Sequence, residues 1–542
     1  MREGWHRIGA VVRLELLIQR REPLTVLYLL VLGLLSAAFA AAGPVELVRN
    51  RGAVPRDAAW SVMLACTALT AFGQVITTMV AATVVLRDRS DRVFDLLVVS
   101  RLTAREYLFG KLLAALLMLA AIYCAIPVGL LVGALVGGGA AGAAVRAIVP
   151  PLFVLILPTM LAIGALQFAV GVLSGRLWMI VGQGLLLIWC WSASIDAVGS
   201  VTWGPLAALG DPFGSAPLLQ ATQTWTDLQR TTQPMPITPT LLLNRALWLA
   251  IGGALALLAI RVGASVEGHR ARQAVVTARA GRREPPAVDV ARDPVVRMVR
   301  PGTLRAAQAV AQYVVRWMVR DTGWRVLLVL GAVNVCAHVA VDVQGSTSSS
   351  DATARVAAAI VMHARLFLIL LATIYAGEVV WREREERSAA LFDVQPISDT
   401  ASVAGRVIGV IIAQLLVILS LVSTAAAVAA LASPKRLDLP ALVSVVASRV
   451  ALPFVVWMLV ALAVHVVVQQ KVVGHLLLIA GWVLAAVFAG AATPGEDGAS
   501  APGVWGAMVV IALAITRRGW VRGAGRATHW RRRRGRDASE FH

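Results

Sequence analysis

The chain has 542 residues, 58% of them hydrophobic and only 15% charged, with a mean hydropathy of +0.76. A soluble chain would be about one-quarter charged, so this composition excludes a water-soluble globular enzyme. The net charge is +20, carried almost entirely by arginine, and the four cysteines (Cys66, Cys124, Cys190 and Cys336) form no CxxC pair or metal-ligand spacing and read as packing residues.

In chain order, the first element is an amphipathic stretch containing "RLELLIQRRE". Glu15, Arg20 and Arg21 interrupt it, so no cleaved signal peptide is expected. Apolar runs follow, most of them long enough to cross a hydrocarbon core of about 30 Å. They predict spans at 24–43, 58–86, 107–136, 148–174, 177–198 and 241–260, then at 325–342, 356–381, 402–431, 442–468, 473–492 and 502–516. The segment 199–240 is apolar but broken by Pro and Gly, which suits re-entrant or interfacial pieces. The fold expected is an all-α polytopic membrane protein of about 12 transmembrane helices.

Four regions are expected: a six-span unit over 1–261, a basic linker over 262–302 that is polar and partly disordered, a second six-span unit over 303–516, and a basic tail over 517–542. A second amphipathic stretch, "YVVRWMVRDTG", precedes the second unit. Lys and Arg crowd one alternate set of connections, including the linker and the tail. By the positive-inside rule both termini are cytoplasmic. The positive charge thus reads first as topology, and the tail as an anionic-lipid contact. Nucleic acid is not an expected partner, because no aromatic residues interleave the basic ones.

Two charged stretches, "VVLRDRSDRVFDLLVVSRLT" at 84–103 and "VVWREREERSAALFDVQPIS" at 379–398, align without a gap at an offset of 295. Arg87, Arg89 and Arg92 meet Arg382, Arg384 and Arg387, while Asp88 and Asp91 meet Glu383 and Glu386. Gly110–Lys111 meets Gly405–Arg406, Pro158 meets Pro453, and Arg176 meets Lys471. This is the pattern of an internal duplication. Six spans return each copy to its starting side, so the two repeats are expected to be parallel.

Asp88/Arg92 and Glu383/Arg387 are four apart with the acid first, the favourable order on a helix. The second and eighth spans are therefore expected to continue as helices beyond the bilayer. "TARE" at 103–106 has the form of a capping box, and Pro396 with Ser398 marks the equivalent break. Phe94, Leu96 and Leu97, or Leu391 and Phe392, would form an apolar tip on a charged stem. Two readings of the stem stand: a docking knob, or a headgroup anchor.

Polar residues within the spans are few. Gln74, Gln167, Gln183, Gln414 and Asn334 suit bonds across helices, and His465 suits packing. Arg365, His363 and His338 are candidates for a substrate path; alternatively, the histidines pack and Arg365 reaches headgroups or meets Asp342 or Asp351. No GxxxxGK[ST] phosphate loop and no HExxH occur. The chain is expected to be no enzyme and to bind no cofactor of its own.

The amphipathic helix, the six spans and the Arg/acid hairpin leading into "LLVVSRLTAREYLFGKLLAALL" resemble the permease subunits of the type-two class of ABC exporters. "LGDPFGSA", "LLLNRALWL", "AGEVVWREREER" and "VHVVVQQKVVGHL" resemble the permease portion of chains fused to a zinc aminopeptidase, whose HExxH is missing here. The resemblance implies that Arg87, Asp88, Arg89, Asp91 and Arg92, with Arg382, Glu383, Arg384, Glu386 and Arg387, couple to the ATPase. It implies ATP-binding cassette subunits as partners, two copies by the duplication, with ATP and Mg supplied through them, and placement in a bacterial cytoplasmic membrane among its lipids. A secondary transporter of the major-facilitator kind is the alternative, although "RDRSDR" lacks that family's loop glycine and no carboxylate lies deep in a span.

Overall fold

The computed structural model describes residues 2–41, 45–46, 53–55, 57–90, 102–279, 302–386, 388, 395, 397–433, 435–468, 470–488 and 502–520. These residues are helical almost throughout. The exception is a two-strand pairing, β1 (Val45–Glu46) with β2 (Ala53–Val54), in the connection after the first span. Among the described residues nine helices are long and apolar enough to cross a membrane, and a bent pair makes a tenth candidate. The chain is an integral, multi-pass membrane protein. It divides into two compact units, Met1–Val288 with Val483–Ala491, and Asp289–Trp482 with Ala492–His542.

The first unit begins with the amphipathic α1 (Arg2–Arg21), which hands over at Glu22 to the apolar α2 (Pro23–Ala41). Proline suits the first turn of α2, where its missing N–H costs nothing. Then come α3 (Ala59–Ser90), α4 (Ala104–Tyr123), α5 (Ala125–Val136) and α6 (Ala141–Pro151). α4 and α5 together form the third expected span, 33 residues long, with a local turn at Cys124, an exposed residue and not the packing residue expected; Cys66 is buried. α5 packs on α2 through Gly129 and Gly133, where any Cβ would collide with the backbone carbonyls of Gly33 and Ala37. Small residues four apart allow this approach where lipid gives no hydrophobic drive.

A wide π-turn, Leu152–Ile156, joins α6 to α7 (Leu157–Ser174), and α8 (Leu177–Ala197) follows. Pro158 lacks the N–H that would continue the ladder, a local reason for the irregular turn before it. The segment 199–240 folds into three short helices, α9 (Gly204–Gly210), α10 (Ser215–Ala221) and α11 (Asp227–Thr232). α12 (Pro239–Arg279) closes the unit. The helix continues past residue 262 into the segment expected as a linker. The Arg- and Ala-rich sequence there has high helix propensity. Residues 280–301 lie outside the described residues.

The second unit begins with the amphipathic α13 (Thr303–Arg320) and α14 (Thr322–Asp342), joined at Asp321, whose carboxylate caps α14 by accepting from Trp324 N at 3.2 Å. The eighth expected span is two helices, α15 (Ser349–His363) and α16 (Arg365–Glu385), bent by 43°. α17 (Asp399–Ala432) and α18 (Leu439–Val446) follow, with a π-turn at Ala447–Ala451 before α19 (Leu452–Val468). Helices α20 (Lys471–Phe488) and α21 (Pro502–Gly519) occupy the positions of the last two expected spans. The tail beyond Trp520 lies outside the described residues.

Candidate functional site

In the first unit α3 runs unbroken from its apolar body to Ser90, carrying Arg87 beyond the buried part of the helix. Arg87 is not a free surface charge. Its Nη2 donates to both oxygens of Glu15 at 2.9 Å, and Lys111 Nζ donates to Glu15 Oε2 at 2.7 Å. Lys111 also reaches the carbonyl of Val84 at 3.3 Å, and Gln19 Nε2 donates to Glu15 at 3.3 Å. Glu15 is only 3% exposed, so one buried carboxylate ties together α1, α3 and α4. Such a group is tolerable only because two cations and an amide satisfy it.

The approach of α1 that makes this possible rests on Gly110, where a Cβ would lie 2.9 Å from Val11 Cβ. The next helix starts as the sequence expects. Thr103 Oγ1 accepts from Glu106 N at 3.3 Å and Glu106 Oε2 accepts from Thr103 N at 2.9 Å, a complete capping box. Arg7 of α1 adds a contact to Glu106 at 3.2 Å.

The second unit solves the same problem with different residues. Arg406 of α17 pairs with Glu383 of the α16 stem and with Ser402. Arg382 bonds Glu386 Oε1 at 2.7 Å and stacks its guanidinium 4.4 Å from the Trp317 ring of α13. Glu385 and Glu378 each accept from Lys471 Nζ at 2.7 Å, which binds α20 to the stem. Tyr375 donates to Asp321 at the α13–α14 joint. α13 seats on α17 at Gly405, where a Cβ would meet Ala307 O and Val310 Cβ at 2.5 and 2.6 Å. Ser398 caps α17 by accepting from Ala401 N at 3.2 Å.

Glu383 reaches Arg406, on the next long helix, and Arg382 pairs with Glu386 four residues on; the expected Glu383/Arg387 pair involves Arg387, outside the described residues. A bond across helices holds two elements, whereas one along the helix holds none. Arg384 lies over the ring of Trp381 at 4.9 Å. The side chains of Asp88 and Arg89, and all of Asp91, Arg92 and Arg387, lie outside the described residues, as do the tips at Phe94, Leu96, Leu97, Leu391 and Phe392 and the break at Pro396.

The proposed substrate-path residues fall at one end of the second unit. His338 and His363 stack with ring centroids 3.4 Å apart and planes within 11°. His338 Nδ1 lies 2.8 Å from Asn334 O, while Asn334 Nδ2 donates to His363 O at 3.1 Å. Arg365 lies over the Trp482 ring at 5.6 Å, and Asp351, one of its two expected acids, is bonded by Arg355 at 3.0 Å.

A second polar knot was not foreseen. Asp211 is fully buried between α9 and α10, its carboxylate accepting from Phe213 N at 2.7 Å and Ala216 N at 2.6 Å. Asn244 Nδ2 donates to the carbonyls of Ala208, Leu209 and Asp211. Arg245 donates to Thr159 Oγ1 at 2.5 Å and to the carbonyls of Asp211 and Pro212. Gly214 turns the loop at φ 87°, where a Cβ would press on Arg245. Burial pushes the Asp211 carboxyl above the usual carboxylate range, against the pull of its backbone N–H donors and of Arg245. The knot fastens the short helices of 199–240 to α7 and α12. It joins "LGDPFGSA" to "LLLNRALWL", two motifs whose contact the sequence does not announce.

No family model, curated protein or solved structure matches this chain.

Proposed function

We propose that the chain is the transmembrane subunit of an ATP-driven exporter of the type-two ABC class, in a bacterial cytoplasmic membrane with both termini inside. It would comprise two parallel six-span repeats. Support for the duplication comes from irregularities that recur at the sequence offset of 295. The π-turns Leu152–Ile156 and Ala447–Ala451 match at that offset, as do the glycines that seat the amphipathic helices, Gly110 and Gly405. A shared fold explains a coincidence of rare turns better than chance does.

The observation that carries the functional reading is the anchorage of the stems. Arg87 in one unit, and Arg382 and Glu383 in the other, are bonded sideways to the amphipathic helix or to the following span. Headgroup anchoring needs only charge. A braced stem instead suits an element that must transmit force without bending. Arg87 to Arg92 and Arg382 to Arg387 are then the coupling segments, each engaging one ATP-binding cassette subunit that brings ATP and Mg. No HExxH occurs in this sequence, so the zinc peptidase activity of the fused chains it resembles is not part of the proposal.

The test is reconstitution in proteoliposomes with and without ATP-binding cassette subunits from the same genome. ATP hydrolysis stimulated by the permease is expected only in the complete assembly. Vanadate-sensitive hydrolysis by the chain alone, or transport driven by an ion gradient without ATP, would refute the proposal.

A further inference from the structure

The outer side of α1 carries a groove that the stem anchorage does not use. It has a volume of about 470 Å³, is floored by Ile8, Val12, Leu16 and Leu113 with Trp5 at one end, and is bordered by Arg13 and Arg20. Trp5, Ile8, Val12 and Leu16 recur three or four residues apart, so they form one apolar stripe along the helix. Trp5 is 63% exposed and meets Phe109 edge-on at 6.4 Å between centroids. Arg13 and Arg20 stand seven residues apart, two turns or about 10 Å along one side of the helix.

The local charge balance selects the occupant. Of the acids near the groove, Glu15 is committed to Arg87 and Lys111 and Glu106 to Arg7, while Glu22 follows Arg20 at the α1–α2 joint, outside the interval from Arg13 to Arg20. Glu3 is exposed in the first turn, well over two turns before Arg13. The exposed guanidiniums of Arg13 and Arg20 therefore face outward over an apolar trough with no carboxylate between them that is free to answer them. A molecule that matches both features needs a long apolar body and an anionic head. We infer that this groove is a binding site for one anionic phospholipid, with an acyl chain laid along the Trp5–Leu16 stripe and the phosphate held by Arg13 and Arg20. The site requires only that the chain lie in a membrane, and it stands or falls separately from the exporter reading.

The experiment uses the purified full chain in nanodiscs containing a trace of phosphatidylglycerol with a photoreactive acyl chain, or the same amount of the phosphatidylcholine counterpart. After irradiation the labelled peptides are mapped. Peptides from α1 and around Leu113 are expected to be labelled about fivefold or more in favour of phosphatidylglycerol, the preference that one such cation confers near an anionic headgroup. Arg13→Gln with Arg20→Gln should equalise the two lipids, and Arg13→Lys with Arg20→Lys should keep the preference. Labelling of the remaining spans serves as the control for folding. Equal labelling of α1 by both lipids in the unaltered chain would overturn the site, as would a preference surviving the Gln pair. Absence of label from α1 with either lipid would show that another helix or a second copy covers the groove, and would overturn it equally.

Discussion

Glu15 is the single side chain on which most of the first unit's inner architecture converges, since α1, α3 and α4 all meet at it. Glu15→Gln keeps the shape and removes the charge, leaving Arg87 and Lys111 close together without their shared anion. Removing one partner of a buried ion pair costs about 3–5 kcal/mol. The variant is expected to show a clear loss of thermal stability in detergent, while Glu3→Gln, at an exposed site, should change little. Equal melting of the two variants would mean that the cluster is solvated.

The stems were legible in the sequence because five charges in the six residues 87–92, and six in 382–387, beside apolar runs cannot be overlooked. Their partners were only half legible. The offset of 295 paired Lys111 with Arg406: Lys111 shares with the stem's Arg87 the carboxylate of Glu15, and Arg406 bonds the stem's Glu383 directly. Glu15 enters the sequence reading only as a charge that interrupts the N-terminal stretch, with no partner assigned. A signal was available, since Glu15 and Gln19 share one helical face with the apolar Ile8 and Val11. Arg245 escaped for a different reason. It sits in the first turns of a hydrophobic run, where hydropathy absorbs it, and its partners are about 34 and 86 residues away. An arginine inside a predicted span is itself the clue.

At the scale of elements, what decides the arrangement is how closely each amphipathic helix can approach the span that follows the stem. Gly110 and Gly405 set that distance. Gly405→Leu should force α13 away from α17, and with it Trp317 from Arg382. A cost of about 1–3 kcal/mol is expected for such overpacking, read as a lowered melting temperature at normal membrane insertion. Gly253→Ala, where nothing lies within 4 Å of the new Cβ, should be neutral or slightly stabilising. Indistinguishable melting of the two would remove the glycine seat from the description. The 43° bend between α15 and α16 was not legible, because periodicity and hydropathy continue unchanged across Ala364. At the π-turns, the proline that follows each, Pro158 and Pro453, gave a local warning.

For the whole molecule, the proposed orientation rests on where the basic residues lie. In a background without the four native cysteines, Thr231→Cys in α11 and Thr303→Cys at the start of α13 occupy exposed positions. A membrane-impermeant maleimide applied to intact cells is expected to label the first and spare the second until the membrane is permeabilised. The reverse pattern would invert the topology and place the stems on the wrong side to meet an ATPase.

The most direct test of the central claim, that the stems dock ATP-binding subunits, is co-purification of those subunits after charge reversal. Arg384→Glu with Arg387→Glu, and separately Arg89→Glu with Arg92→Glu, place like charges against the surface that the stem is proposed to meet, at a cost of several kcal/mol. Both variants are expected to insert normally and to lose the ATP-binding partner together with the stimulated ATPase. Recovery of the partner at the unaltered yield by both reversed variants would contradict docking and leave the stems as headgroup anchors.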